Sequence, residues 1–407
     1  MLSKIFTELT PPLQESLQKL IASDVRLSLY VSGGCSSILG WLTLLGGSSK
    51  VIAETRNLYC KGSACSLLGY DPDKFVDSNV TRDLALSAFT NTQKYMYYES
   101  NNLSFDQNRV LGVGISGALR SNFERKGLHH AYISLVDQKK YTTYYIILDK
   151  NKRSREEEDY FIGYNVLNLI NTPITETPTL VGELLPGDEI KVLESKDTID
   201  LLLSTLETTT LNIIFLPGGK MLANQILKKC AVIPGSFNPL HDGHVALAEA
   251  VAKKFELKDS DIIFELSALN ADKGLISREE IEKRVKVINE RGFGAMLTNR
   301  PFFYAKNEYL KNGYFVVGTD TYKRIIDTKY YSNSNEVMIS KLAEFLRCEN
   351  HLVVAPRLNS QTNKLETLAD FSVPEIFKNI HELDNFRMDI SSTELRQKVL
   401  ENEQKKE

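Results

Sequence analysis

Apolar positions along the chain switch repeatedly between a helical period and short continuous runs, and that switching predicts the elements. Leu13, Leu17, Leu20 and Ile21 recur on one helix face, so residues from about Pro12 to Ser23 read as an amphipathic helix. The stretch Val25 to Val31 follows as a strand and opens into the cluster Ser32-Gly33-Gly34-Cys35-Ser36-Ser37. A further apolar segment leads to Gly46-Gly47-Ser48-Ser49. A helix-like stretch then covers Thr81 to Tyr98, and strands are expected at Val110–Ile115 and Ala131–Leu135. This pattern predicts a first α/β domain over residues 1–165. Arg153-Ser154-Arg155-Glu156-Glu157-Glu158-Asp159 reads as a solvated helix face or loop. Residues 166–229, rich in Thr, Pro and Gly, read as a connector with some structure of its own.

A second α/β block is expected over residues 230–407. The strand Cys230–Phe237 precedes a helix with Val245, Ala248, Val251, Ala252 and Phe255 on one face. After the strand Ile262–Leu266, a helix opens at Ser277 with Glu280 in capping-box position. It turns Ile281, Val285 and Ile288 inward and stops at Gly292. Strands recur at Ala295–Leu297, Tyr314–Val317 and His351–Ala355. Strand and helix in alternation with short connections predict a parallel sheet whose ligands sit at the carboxyl ends of the strands.

Composition narrows the class. The chain has 407 residues, 42% of them apolar and 25% charged, the proportions of a soluble globular protein with room for two cores. A net charge of −3 argues against a nucleic-acid surface as the main business. No run approaches the ~20 apolar residues that span a bilayer. The start, Met1-Leu2-Ser3-Lys4 with Glu8 soon after, has neither a signal-peptide core nor transit-peptide character. The 5 cysteines are too few and too scattered for a disulfide framework, so reduced thiols in the cytoplasm or nucleus are expected. Partners are then expected to be small molecules, with a homo-oligomer left open.

The chemistry concentrates in Pro234-Gly235-Ser236-Phe237-Asn238-Pro239-Leu240-His241-Asp242-Gly243-His244, where the second block's first strand gives way to its first helix. Gly235 and Gly243 let backbone come close to a ligand. His241 and His244, three apart at a helix start, can face the same side. The helix N-terminus supplies free N–H groups and partial positive charge, which favour phosphate. Solvent-facing histidines and a metal pair are the other readings. The remaining four of the chain's 6 histidines show no companion spacing, which weakens the metal reading, and no metal ligand is assigned. A second signal is Ile390-Ser391-Ser392-Thr393-Glu394-Leu395-Arg396, a helix start with a capping box and an Arg near its first turn. Alone it reads as an ordinary cap; beside the histidine motif it becomes a second phosphate clamp. Gly318-Thr319-Asp320 follows the strand Tyr314–Val317, where an N-cap is an equal reading for the Asp.

In this order and spacing the motifs closely resemble the nucleotidyltransferase superfamily, in particular nicotinamide-mononucleotide adenylyltransferases, over about residues 230–400. The resemblance implies a Rossmann-like domain that uses MgATP and a phosphorylated acceptor. It implies a catalytic set of His241, His244 and Arg396. It further implies ATP contacts from Gly235, Ser236, Phe237, Asn238, Gly243, Gly318, Asp320, Ser391, Ser392 and Thr393. On the acceptor side it points to Lys273 for a phosphate and to Phe303 and Lys306 nearby. NAD or its deamido form is the implied product. Pantetheine-phosphate adenylyl transfer, cytidylyl transfer and a nucleotide-binding regulator without turnover remain alternatives.

Ser32-Gly33-Gly34, Gly47-Ser48-Ser49, Tyr59, Gly69 and Ile115-Ser116-Gly117 resemble the C-terminal domain of CinA-type proteins, which deamidate nicotinamide mononucleotide. The likeness covers roughly residues 12–150. Tyr30 and Val31 stand where that family has a Glu, its lysine falls at Ala64 with Lys61 three residues early, and its Gly-Pro-Gly-Gly run becomes Leu119-Arg120-Ser121-Asn122. A Ser–Lys pair needs both members in reach. The first domain is therefore expected to be a non-hydrolytic relative.

Overall fold

The computed structural model describes residues 9–100, 103, 109–122, 126–150, 152–172, 176–270, 274–300, 302–359, 362–376, 379–384 and 386. The chain divides into two compact units, Met1–Leu203 and Ser204–Glu407.

In the first unit, α1 (Pro11–Ile21) buries Leu13, Leu17 and Leu20, the stripe its periodicity predicts. There follow β1 (Val25–Gly33), α2 (Ser37–Leu44), β2 (Ile52–Asn57), α3 (Lys61–Leu68) and α4 (Ser78–Ser100). Next come β3 (Arg109–Ala118), β4 (His129–Val136), β5 (Lys140–Leu148), α5 (Arg155–Asn171) and β6 (Glu189–Asp197). The sheet runs β2-β1-β3-β4-β5-β6. β1 lies parallel to β2 and β3, and the other pairs are antiparallel. β1 is buried on both faces from Leu27 to Ser32, with Ser28 and Ser32 inside along with its apolar residues. On one face α4 comes close to β3, because a Cβ at Gly112 or Gly114 would stand 2.1 Å from a carbonyl oxygen of that helix. On the other, Leu13, Leu17, Ile38, Leu42, Ile162 and Val166 close a single core.

Two expectations change here. The 153–159 run is the start of α5 and turns inward: Ser154 caps it with Glu157, Arg153 pairs with Asp188 at 2.7 Å, and buried Glu158 meets His129 Nδ1 at 2.6 Å. The stretch read as a connector is shared between the units. α5 reaches Asn171, β6 is an edge strand of the first sheet, and α6 (Thr198–Thr208) contains the division. β7 (Asn212–Leu216) and β8 (Lys220–Ala223) then join the second sheet, where Ile213, Ile214 and Leu216 are buried.

The second unit continues with β9 (Ala231–Pro234), α7 (Asp242–Phe255), β10 (Ile262–Ser267), α8 (Arg278–Glu290) and β11 (Gly294–Thr298). It goes on through β12 (Tyr314–Gly318), α9 (Thr319–Ile325), α10 (Asn335–Arg347), β13 (His351–Ala355) and β14 (Ile380–Glu382). Its eight-stranded sheet runs β14-β13-β12-β9-β10-β11-β7-β8. From β14 to β11 all neighbours are parallel, and β7 and β8 extend the sheet antiparallel. The chain moves outward from β9 to β10 and β11, then returns to lay β12 on the other side of β9, with Ala231 opposite Tyr314 and Val232 opposite Phe315. The strand order reverses between β9 and β12. Their carboxyl ends thus border the crevice where α/β sheets bind ligands.

Candidate active site

Beyond Pro234 the chain turns, and the Gly235 amide donates to the Glu265 carbonyl at 3.0 Å. Phe237 adopts a left-handed backbone (φ 43°) and drives its ring inward. That ring meets Phe264 edge-on at 4.9 Å and His244 at 4.9 Å. A Cβ at Gly235 would lie 2.6 Å from the Phe237 ring, so glycine there makes room for the anchor of the loop. Ser236 and Asn238 remain exposed on its outer side.

His241 caps α7 with extended backbone, and its amide donates to His244 Nδ1 at 3.3 Å. That bond requires Nδ1 to be unprotonated, so neutral His244 carries its proton on Nε2. The two rings stack with centroids 3.7 Å apart. His241 is 8% exposed, and both of its buried ring nitrogens lack a hydrogen-bond partner. Buried polar atoms are normally satisfied, so an unpaired pair of ring nitrogens calls for a partner from outside the chain, a water, an ion or a ligand. Burial, then the charges of His241 and Arg357, pushes His244 down to about 3. Burial and Arg357 also lower His241, against a raising effect of Asp242. Both rings are therefore neutral at pH 7 until an anion arrives to compensate a proton.

Across the reversal point, Gly318 caps α9 and Asp320 lies in its first turn. Its carboxylate holds Arg357 Nη1 at 2.8 Å. Arg357 follows the end of β13 and was not singled out from the sequence. Its one signal there was its position just past the carboxyl end of a parallel strand.

Two of the three acceptor-side residues, Lys306 and Phe303, are engaged with neighbours of their own unit. Lys306 is buried and its ammonium is paired with the Glu265 carboxylate, whose other oxygen accepts from Thr298 Oγ1. Phe303 packs among Phe315 at 5.2 Å and Phe345 at 5.3 Å. The more open aromatic pair beside it is Phe302 on Tyr304, stacked at 5.5 Å. Lys273, Ser391, Ser392, Thr393 and Arg396 lie outside the described residues.

The first unit has its own glycine-rich turn, from β1 into α2. There the amides of Cys35, Ser36 and Ser37 donate to the Asp159 carboxylate at 2.5, 2.9 and 2.8 Å, and the Ser37 hydroxyl does so as well. Beside it lies a pocket of about 480 Å³ lined by Ser36, Ser37, Trp41, Arg155, Asp159 and Tyr160. Of the residues carrying the CinA-like resemblance, Ser48 donates its hydroxyl to the Leu45 carbonyl at 2.8 Å, and Lys61 pairs with Asp71 at 2.7 Å.

Among known proteins, residues 232–398 match the family described as Cytidylyltransferase-like. The chain is 28% identical over 193 residues to a probable nicotinate-nucleotide adenylyltransferase of Staphylococcus epidermidis, covering 43% of this chain and 87% of that protein. Among solved structures it is similar to the competence/damage inducible protein CihA from Agrobacterium tumefaciens, at 16% identity and a TM-score of 0.29, over 40% of this chain and 96% of that one. A competence-damaged protein (CinA) superfamily protein from Enterobacter cloacae is similar at 11% identity and a TM-score of 0.29, over 39% and 87%. No helix among the described residues is long and apolar enough to cross a membrane. The histidine turn, the strand reversal and the match to the Cytidylyltransferase-like family fall on the same stretch, and residues 232–398 form a nucleotidyltransferase-like domain.

Proposed function

We propose that the second unit transfers the adenylyl group of MgATP to the phosphate of nicotinate or nicotinamide mononucleotide, releasing pyrophosphate. The observation that carries this reading is His241, buried at a helix N-terminus with both ring nitrogens unpaired and a second imidazole stacked on it. A triphosphate satisfies such a pair: it accepts from the imidazole N–H groups and compensates a proton there. The acceptor is suggested by the name of the Staphylococcus relative.

In this mechanism the acceptor's phosphate oxygen attacks the α-phosphorus, the bond from that phosphorus to the bridging oxygen breaks, and pyrophosphate leaves with the electron pair. A phosphate is already ionised at pH 7, so no general base is needed. Catalysis comes from alignment and from charge stabilisation by His241, His244 and the α7 amides. Gly318 and Asp320 face the nucleoside, Ser391, Ser392, Thr393 and Arg396 grip the outer phosphates, and Lys273 holds the acceptor's phosphate. Mg²⁺ enters with ATP as part of the substrate.

For the first unit the reading is a non-hydrolytic domain, supported by the engagement of Ser48 with Leu45 and of Lys61 with Asp71. One incubation tests both readings: full-length protein, Mg²⁺, ATP or CTP, and a panel of phosphorylated acceptors, assayed for pyrophosphate and ammonia. Pyrophosphate is expected with ATP and a pyridine mononucleotide, and no ammonia. Turnover with CTP alone, or with pantetheine phosphate alone, reassigns the substrates. Steady ammonia release that disappears in Ser48→Ala overturns the reading of the first unit.

A further inference from the structure

We propose that Arg357 is a phosphate-gripping residue of this site, parked on Asp320 and handed to the nucleotide's phosphates on binding. The proposal rests on the nucleotidyl-transfer reading above and adds to it a residue and a change of partner. Three features of the ligand-free site support it.

First, topology brings Arg357 there. β13 lies beside β12, and Arg357 leaves its carboxyl end with its side chain over the turn that follows β12. A Cβ on Gly318 would meet Arg357 Cδ at 3.9 Å, so the stem lies along the Gly318 backbone and the guanidinium reaches Asp320. Second, the pair is easily exchanged. The two side chains are 31% and 49% exposed, and ion pairs that open to water contribute roughly 0–1 kcal/mol. Two or more phosphate oxygens offer the guanidinium fork a better match than one carboxylate oxygen.

Third, the surrounding charge is unbalanced in favour of an anion. Arg357 stands near enough to lower the basicity of both His241 and His244. The acid on the histidines' own helix, Asp242, is exposed and faces Arg291 at 3.3 Å, while Asp320 is held by Arg357 itself. Two protonatable rings and a permanently charged guanidinium therefore share one rim, with no buried acid paired to the rings among the described residues. A polyphosphate relieves all three together, and release of Arg357 frees Asp320 for the nucleoside hydroxyls.

The rival explanation is a structural latch between the turn after β12 and the turn after β13. Binding of MgATP and of inorganic pyrophosphate by the full chain, measured calorimetrically, separates the two for Arg357→Met and Arg357→Lys. Arg357→Met is expected to weaken both ligands by about tenfold or more, and Arg357→Lys to recover part of the loss, because a point charge lacks the fork. Its melting temperature should stay near wild type. In ligand-free protein, histidine proton resonances should titrate at higher pH in Arg357→Met, because a neighbouring cation is gone. Unchanged affinity with a lowered melting temperature makes Arg357 a latch and overturns the assignment, as do unchanged histidine titrations. Wild-type protein that binds neither ATP, CTP nor pyrophosphate overturns the nucleotidyl-transfer reading and this one with it.

Discussion

The two units each turn a buried parallel strand into a helix through a glycine-containing corner, and they finish that corner in opposite ways. At the β1–α2 corner three successive amides and a serine hydroxyl converge on Asp159, a carboxylate from the second turn of α5. At the β9–α7 corner a carboxylate is also near, since Gly235 bonds to the backbone of Glu265. There the acid is neutralised by Lys306 and Thr298, and the imidazole at the helix start is left unpaired. A helix N-terminus after a tight turn attracts an anion in either case. Where the chain supplies that anion, the corner is architecture. Where the chain keeps its acids occupied and leaves polar atoms waiting, the corner is a candidate site.

Removing His244 tests the open corner hardest. His244→Ala should lower turnover by ~10²-fold or more, as expected for one lost charge-stabilising donor. The matching change at the closed corner, Asp159→Ala, should leave the proposed nucleotidyl transfer untouched. Steady-state kinetics on both proteins decides this. A His244→Ala enzyme that folds normally and keeps near-native activity would remove the distinction between the corners.

Asp159→Ala should show its effect in stability. It strips one partner from three amides and a hydroxyl that are part-buried, and leaving a buried donor unsatisfied typically costs about 1–3 kcal/mol, an upper bound for donors that border a pocket. Trp41, the one tryptophan in the chain, lies in α2 directly beyond these amides, so its fluorescence follows unfolding of this unit. The urea midpoint read from Trp41 is expected to fall. If it holds, Asp159 is a bystander and the closed corner is no better satisfied than the open one.

How much of this was legible in the sequence follows from what decides each element. β1, β9, β10, β12 and β13 were readable because central parallel strands are buried on both faces and so are mainly apolar. β6 was not, because Glu189-Ile190-Lys191-Val192-Leu193-Glu194-Ser195-Lys196-Asp197 is a largely exposed edge strand with charges along it. The histidine pair was readable from local spacing alone. Arg357 was not, since nothing local marks it and a strand order of β13-β12-β9 is needed to bring it to the pair. The 153–159 run looked solvated because charge is the usual sign of exposure. Asp188, His129 and the 35–37 amides, which turn three of its residues inward, lie far away in the chain. Lys306 is the same lesson in the other unit: its sequence neighbours give no hint of Glu265.

The smallest effect sharpens the comparison most, because its sign differs between the corners. His241→Phe keeps a planar ring in the stack but deletes two buried nitrogens that have no partner. Replacing an unsatisfied polar group by an apolar one of like shape is nearly neutral or stabilising, so at pH 7 the second unit should hold within ~1 kcal/mol of wild type, or gain. Below pH 7 the variant should pull ahead. An unfolded imidazole takes up a proton near its ordinary value of about 6.5, whereas the folded ring resists it. For His244 that resistance extends down to about 3, and His241 is lowered too. The unfolded chain thus binds more protons throughout this window, and wild-type stability falls as the pH drops below about 6.5. The phenyl ring of the variant takes up no such proton, and with one less cation beside it His244 also resists less. The loss between pH 7 and pH 5 should therefore be smaller in His241→Phe. His351 and His381, also lowered, add the same acid sensitivity to both proteins and cancel in the difference. Hydrogen exchange of the Val232 and Val316 amides, in β9 and β12, reads the second unit at each pH. A His241→Phe protein clearly less stable at pH 7 would mean that the His241 nitrogens are satisfied after all, and the open corner would be architecture like the other.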